Sequence, residues 1–416
     1  MTVELEDRDR ALLGGGAGDG AALAMRLVVR MAEVARASQL RDVTRAHIDS
    51  CLYHGQVGLD FAERLLAGGG SVAVPSTLNV SSLDLLHPEL VLLDAETRGR
   101  AKRLMAAYVA MGCRPTWTCA PYQLSDRPSL GEHVAWAESN AIVFANSVLG
   151  ARTNRYGDFI DLCAAVTGRV PDHGLHTDEG RRATVRFRLH GVSDRLLDQD
   201  LLYPVLGHLL GRRAGTEVAA IDGLPPTTSE DRLKALGAAA ASSGSVALFH
   251  AIGITPEAPT WDAVAGLGAR EEVVTLHDLR AARGELSHVP DGAEIGAVSV
   301  GTPHASEAEL RRLAELVARA RLRVPFYVNT GRAQLAAIGG IAGELADAGV
   351  TVVTDTCTYI TPVLREVTGP VMTDSGKWAW YAPSNLGVDV ALGSLEDCVR
   401  SAAAGVVTRD EAIWAG

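Results

Sequence analysis

Apolar and polar positions along this chain change rhythm about halfway. Near the N-terminus, "AALAMRLVVRMAEVARA" follows the breaker "GGGAGDG" and sets Leu23, Leu27, Met31 and Val34 at helical spacing on one face, which predicts an amphipathic helix. "DFAERLLAGGG" reads as a helix stopped by glycines, and "SVAVPSTLN" as a short strand running into a polar loop. "SLGEHVAWAESNAIVFANSVLGA" is too long and too apolar for a strand. Its pattern predicts a buried helix from about Ser129, within which Glu138, Asn140, Asn146 and Ser147 stand out as polar.

From about residue 243 to 357, strand and helix alternate. "SVALFH" and "IGAVSV" predict buried strands. The second leads through "GTPHAS" to a helix opened by the capping box Ser306 to Glu309 and carrying Leu310, Leu313, Leu316 and Val317. The strand "PFYVN", the loop "TGR", a helix through Leu345, the strand "VTVVTD" and the loop "TCTYITP" follow. Successive strand ends thus carry GTPH, NTGR and TDTC. Open parallel sheets place their ligand crevice beyond such ends, so Thr302, His304, Asn329, Thr330, Arg332, Asp355 and Cys357 are expected at one rim. The predicted class is α/β, with a helix-rich lobe over residues 1–240 and an α/β lobe with strand-end loops over residues 241–416.

Composition narrows the function. With 416 residues, 47% of them hydrophobic, the chain has enough apolar material for two lobes. Its 39 Lys and Arg against 50 Asp and Glu, a net charge of -11, argue against a nucleic-acid or anionic-membrane surface. No apolar run approaches the roughly 18 residues a membrane span needs. The acidic start "MTVELEDRDRALL" matches neither a secretory signal nor a transit peptide. Six unevenly spaced cysteines make no disulfide framework, so a reducing, cytoplasmic setting is expected. The absence of a P-loop, a G-x-G-x-x-G and a G-x-S-x-G turns attention from nucleotide enzymes and serine hydrolases. The absence of C-x-x-C and H-x-x-x-H argues against a structural zinc site.

Two cysteines then stand apart. Cys119 in "PTWTCAPYQ" and Cys357 in "TDTCTY" lie among Thr, Pro and Tyr, not in apolar runs as Cys163 and Cys398 do. Each is a nucleophile, a metal ligand or an ordinary buried thiol, and a cluster assembled from distant segments leaves no local signature. Cys51 neighbours His47, Asp49 and His54, and Cys113 precedes Cys119 by six residues. In "GARTNRYGD", Arg152 and Arg155 fit either a bidentate grip on a carboxylate or plain compensation of a helix end. Glu138, if buried, is either paired with a cation or an acid–base group of raised pKa. Lys377 in "TDSGKWAWYAP" is an anion contact or a surface charge.

Taken together, "HIDSCLYHGQVGLDFAERL", "VPSTLNVSSLD", "TCAPYQ", "GEHVAWAESNAIVFANSVLGARTNR", "TGRVPDHGLH", "TDTCTYITP" and "VMTDSGKWAWYAP" with "GSLEDCVR", in this order over about residues 10 to 405, resemble the aconitase X family. The resemblance implies an aconitase-like large part, an iron–sulfur cluster (2Fe-2S or other) or a mononuclear iron, and dehydration of a small β-hydroxy acid. Family activities include dehydration of cis-3-hydroxy-L-proline to Δ1-pyrroline-2-carboxylate and of mevalonate 5-phosphate, the first being the expectation here. On that basis Cys119 and Cys357 are expected metal ligands. Glu138, Asn146, Ser147 and Arg152 are expected to line the substrate site, Lys377 to contact a carboxylate, and His47, Asp49 or His54 to supply a general acid.

The chain departs from the family pattern twice. Members with three cysteine ligands carry the third in G-C-P-H, whereas this chain has "GTPH" with Thr302. That leaves Cys51, Cys113, His304, a partner chain, a single iron or an altered centre to complete the site. It also leaves open a metabolite-binding subunit that has lost its cluster. Nothing resembles the family's small swivelling domain, whose Gly- and Ser-rich segment is thought to bring a catalytic serine. The chain is therefore expected to be a large subunit that needs a small partner.

Overall fold

The computed structural model describes residues 3–364 and 367–415. Two compact units divide the chain: Met1–Leu83 with Leu93–Arg182, and Asp84–Leu92 with Ala183–Gly416. The division falls at residues 182/183, not near 240. The physical reason is a parallel sheet that a cut at 240 would split, described below.

In the first unit, the strands are β1 (Leu40–Asp42), β2 (Ala46–Ile48), β3 (Ser76–Leu78), β4 (Ala135–Trp136) and β5 (Arg169–Pro171). β2 lies between β3 and β4 and runs parallel to both, with Ala46 opposite Ser76 and Ala135. β1 and β5 pair antiparallel. Strands of two or three residues are too short for a period-two signal, so this region reads from sequence as helix apart from the short strand in "SVAVPSTLN", which lies at Ser76–Leu78, inside the stretch expected to be loop.

The predicted N-terminal helix exists as Gly18–Val34, but its buried face carries Ala21, Met25, Val28 and Ala32. Leu23, Leu27 and Met31 are only partly covered and Val34 is 77% exposed. The alanines let this helix approach the Ile160–Thr167 helix closely, which larger side chains would prevent. The predicted long helix from Ser129 is corrected as well. Its first part is β4, Glu138 caps a short helix Ser139–Phe144, and the last turn, Ala145–Leu149, is π-helical.

The second unit holds two parallel sheets. β6 (Ala183–Leu189), β7 (Ala219–Asp222), β8 (Phe249–Ala251) and β9 (Ala265–Val274) form one, in the order β8-β7-β6-β9. β6 and β7 precede residue 240 while β8 and β9 follow it, so hydrogen bonding overrides the boundary read from the onset of strand–helix alternation. The Leu202–Ala214 and Glu230–Ser243 helices pack at very short range, since a Cβ on Gly207 would lie 2.1 Å from the Leu236 carbonyl oxygen.

The other sheet holds β10 (Ala297–Ala305), β11 (Phe326–Thr330), β12 (Val350–Val353), β13 (Val371–Thr373) and β14 (Val390–Leu392), ordered β12-β11-β10-β13-β14. Val298, Val300, Phe326, Val328 and Met372 join Leu310, Leu313 and Val317 in its core. The Ser306 capping box is present. The expected helix through Leu345 is interrupted at Gly339 and Gly340 into Arg332–Ile338 and Ile341–Asp347. Among the described residues, no single helix is long and apolar enough to cross a membrane.

Candidate active site

Each unit presents a row of polar residues at the C-terminal ends of parallel strands. In the second unit the row is the one expected from sequence. β10 and β11 stay in register as far as Val300 opposite Val328 and resume at Ala305 opposite Thr330. Four residues, Gly301 to His304, are therefore extruded against one, and the GTPH stretch bulges from the sheet. Gly301 has φ +78°, and a Cβ there would sit 2.4 Å from the Asn329 carbonyl oxygen, so only glycine opens the bulge.

A buried network fixes the neighbouring Cys357 loop. Asn329 Nδ2 donates to the Val300 carbonyl at 2.9 Å and to Thr358 Oγ1 at 3.1 Å, and its Oδ1 accepts from the Thr358 N–H at 3.0 Å. Ser299 Oγ lies 2.7 Å from Thr358 Oγ1, and Trp378 Nε1 donates to that same oxygen at 3.1 Å. Two residues before Cys357, Asp355 adopts φ +60°, uncommon for a non-glycine residue. Arg332 holds its carboxylate bidentately at 2.6 and 2.6 Å, and the Leu85 N–H adds a third donor at 3.0 Å. Backbone strain held by this many partners is typical of a functional loop.

His304 and Cys357 are both buried, and a ring nitrogen of His304 lies within 4.8 Å of Cys357 Sγ. His304 Nε2 is 3.1 Å from the Thr356 carbonyl, so that nitrogen acts as a donor. An imidazole oriented through its far nitrogen by a carbonyl is the usual form of a metal-ligating histidine. Together with a thiol, this donor set fits iron. Thr302 offers no thiolate, and the cavity beside it, lined by Lys234, Thr302, Glu309, Asp374 and Ser375, is only about 60 Å³, which is room for water and not for an organic substrate.

In the first unit, the strand ends of β3, β2 and β4 carry Asn79, Asp49 and Glu138. Asp49 Oδ1 accepts from Asn79 Nδ2. Glu138 Oε2 accepts from the Ala141 N–H at 2.8 Å and from Asn140 Nδ2. Asp161 accepts from the N–H groups of Asp49 and Ser50 at 2.8 and 3.0 Å and from Ser50 Oγ at 2.9 Å, pinning the turn after β2. Burial, then the charges of Glu138 and Asp158, push the Asp49 carboxyl up to about 8, against the opposing Asn79 hydrogen bond. Burial likewise raises Asp161 to about 6. Asp49 is thus a neutral acid at pH 7.

Cys119 lies in this unit, buried, two residues after Trp117, whose φ is +45°. Its carbonyl accepts from Asn140 Nδ2 at 3.0 Å, so the residue that steadies Glu138 also fixes the Cys119 turn.

The other expected residues fall into distinct environments. His47 is fully buried, with Nδ1 2.8 Å from Thr77 Oγ1 and, among the described residues, no well-formed hydrogen bond at Nε2; burial pushes it down to about 3, so it stays neutral. His54 is exposed. Asn146 lies in the π-helical turn and is consumed internally, bonding the Thr153 carbonyl at 2.9 Å and N–H at 3.0 Å and accepting from Arg181 at 3.0 Å. Ser147 is buried in that turn. Arg152 is paired with Asp178 at 2.5 Å and with the His176 carbonyl at 3.2 Å, which favours a clamp over a substrate grip. Arg155 is exposed. Lys377 is buried in the second unit, 5.8 Å from the Tyr359 ring. Cys51 donates to the carbonyls of Ile48 and Asn79 at 3.4 and 3.4 Å, and burial raises its thiol well above the usual value. Burial also raises Cys113, to about 12.

Sequence reasoning missed Asn79, Asp161 and the buried Lys234, which pairs with Asp231 at 2.9 Å and with Glu309. Asn79 directly follows the strand Ser76–Leu78 in "SVAVPSTLN", and the rule that strand ends carry ligands would have found it had the short strand been placed at its end and not before the polar loop.

Models of three aconitase X domains match the chain in order: the first over residues 2–179, the second over 183–284 and the third over 295–404. The junction at 179/183 coincides with the division between the compact units. The chain is 42% identical to a cis-3-hydroxy-L-proline dehydratase of Hypocrea jecorina, over 97% of this chain and 69% of that protein. It is 44% identical to the Pseudomonas aeruginosa enzyme of the same name, over 96% of this chain and 70% of that protein. It is 36% identical to the phosphomevalonate dehydratase large subunit of Methanothermobacter thermautotrophicus, over 96% of this chain and 98% of that protein. The crystal structure of Thermococcus kodakaraensis aconitase X in its holo-form superposes with a TM-score of 0.86 at 31% identity, covering 96% of this chain and 100% of that one.

Proposed function

The chain belongs to the aconitase X family, and from that premise we propose that it is the large subunit of a dehydratase that converts cis-3-hydroxy-L-proline to Δ1-pyrroline-2-carboxylate. The observation that carries the substrate choice is the identity of 42 and 44% to the two cis-3-hydroxy-L-proline dehydratases, against 36% to the phosphomevalonate subunit. The site supports it. Asp49, Glu138, Asp158 and Asp161 give the first unit's strand-end row an acidic surplus that raises Asp49. A cationic ring nitrogen complements that surplus, whereas a phosphate dianion would be repelled.

Cys357 and His304, with Cys119 as the further thiolate implied by the resemblance, are proposed to hold an iron or iron–sulfur centre. When bound, that centre supplies a Lewis acid for the oxygen functions of the substrate. The chain's own residues divide the proton work. Asp49, neutral at pH 7, donates to the departing hydroxyl; Glu138, oriented by the Ala141 N–H and the Asn140 amide, takes the α-proton. The enamine formed first tautomerises to the imine.

Like the phosphomevalonate subunit it resembles, which it spans almost fully, the chain is proposed to act with a small partner. An assay of the anaerobic complex with cis-3-hydroxy-L-proline, detecting the pyrroline carboxylate as its aldehyde adduct, tests the reading. Turnover of mevalonate 5-phosphate in its place would reverse it.

A further inference from the structure

The turn after β2 and the turn after β3 meet through a contact that no role above requires. Ile48 and Leu78 are opposite one another in the parallel pair, so the next residues, Asp49 and Asn79, face each other across the strand ends. The Asn79 N–H donates to the Ile48 carbonyl at 2.9 Å, which fixes its backbone, and its side chain is buried. Nδ2 donates to Asp49 Oδ1, while Asn79 Oδ1 is buried and has no hydrogen-bond partner among the described residues. An unpaired buried amide oxygen costs about 1–3 kcal/mol. Stability alone would favour a smaller or apolar residue, so the amide is retained for what its N–H does to Asp49.

We propose that Asn79 is a positioning residue that decides which oxygen of Asp49 carries the transferable proton. With an N–H directed at Oδ1, a proton on that oxygen would oppose it, so the proton resides on Oδ2. Asp161 holds the Asp49 and Ser50 N–H groups from behind and prevents the turn from rotating. The inference rests on the dehydratase reading. In the step, the C–O bond to the hydroxyl breaks with its electron pair going to oxygen. That oxygen takes the proton from Asp49 Oδ2 and leaves as water. The α C–H pair becomes the new carbon–carbon π bond as its proton passes to the Glu138 carboxylate. The Asn79 N–H then stabilises the Asp49 carboxylate left behind, with Glu138, Asp158 and Asp161 opposing it and the neutral His47 contributing no charge.

The test compares wild type with Asn79→Ala and Asn79→Ser in the anaerobic complex. Loss of a hydrogen bond to a charged acceptor should move the alkaline limb of the kcat profile upward by roughly one pH unit and lower kcat about tenfold at neutral pH, with KM within about twofold. A second measurement needs no turnover. Infrared difference spectra of the chain, with Asp49→Asn identifying the band, follow the C=O stretch of the protonated Asp49 carboxyl during a pH titration. Asn79→Ala should shift that stretch to higher frequency and raise its midpoint. An unmoved band and midpoint would overturn the proposal, and so would a loss of activity with the alkaline limb in place. A shift the other way would mean that Asp49 donates to Asn79, hiding the proton, and would overturn it too. If wild type fails to turn over the substrate while the band behaves as expected, the dehydratase reading has failed and the Asp49–Asn79 contact stands.

Discussion

Replacing Asp49 with Asn should abolish turnover and stabilise the protein, and the gain should depend on pH. In the folded chain the Asp49 carboxyl is raised from 3.8 to about 8, chiefly by burial and by the charge of Glu138. Below about pH 4 both folded and unfolded states hold the proton, so wild type and variant differ little. Between about pH 4 and about pH 8 the unfolded chain ionises while the folded one does not, and wild type loses stability with rising pH. The variant has no proton to lose there, so its advantage grows across this window and levels off above it. At about 1.4 kcal/mol per pH unit the displacement sets a ceiling of about 6 kcal/mol. Asp158 and Asp161 share the repulsion and Asp49 is only partly buried, so about 2–3 kcal/mol is expected. Urea unfolding of the chain at a series of pH values, comparing midpoints at constant m, measures the gap. A gap independent of pH, or a variant less stable than wild type above about pH 6, would refute the argument that Asp49 is held as a neutral acid.

Other outcomes are equally specific. Cys357→Ala and His304→Ala should each lower the iron bound per anaerobic chain severalfold, and Cys119→Ala should do the same, read by metal analysis; Cys51→Ala should leave iron unchanged. Asp355→Ala should cost about 2–3 kcal/mol, since it leaves the Arg332 guanidinium and the Leu85 N–H without their acceptor, and it should weaken iron retention by loosening the Cys357 loop. His176 is held neutral down to about 3 by burial and by neighbouring His133, so the fold loses stability as pH falls below about 6.5. His176→Phe should flatten that acid limb in pH-dependent melting. Gly207→Ala, with its Cβ forced to 2.1 Å from a carbonyl oxygen, should lower stability by more than about 3 kcal/mol or prevent folding.

Legibility from sequence followed element length. β10, β11 and β12 are long or apolar enough to announce themselves, and their strand-end residues Asn329, Arg332, Asp355 and Cys357 gather as expected. The Ser306 capping box was readable because a cap is local chemistry. β2 and β4 were not readable, since two or three residues carry no period, and a short strand was read in "SVAVPSTLN" without its end at Leu78; the row formed by Asp49, Asn79 and Glu138 therefore surfaced only with the fold. The Gly18–Val34 helix was legible but its buried face was not, because alanines won the contact through close approach while the larger apolar residues stayed at the rim.

The most direct test of the account is product formation by the anaerobic chain with its small partner, supplied in parallel with cis-3-hydroxy-L-proline and with mevalonate 5-phosphate, beside the Cys119→Ala, Cys357→Ala double variant. The account predicts pyrroline carboxylate from the first substrate, nothing from the second, and loss of both iron and product in the variant. Dehydration of the phosphate ester, or a double variant that keeps full activity, would contradict it.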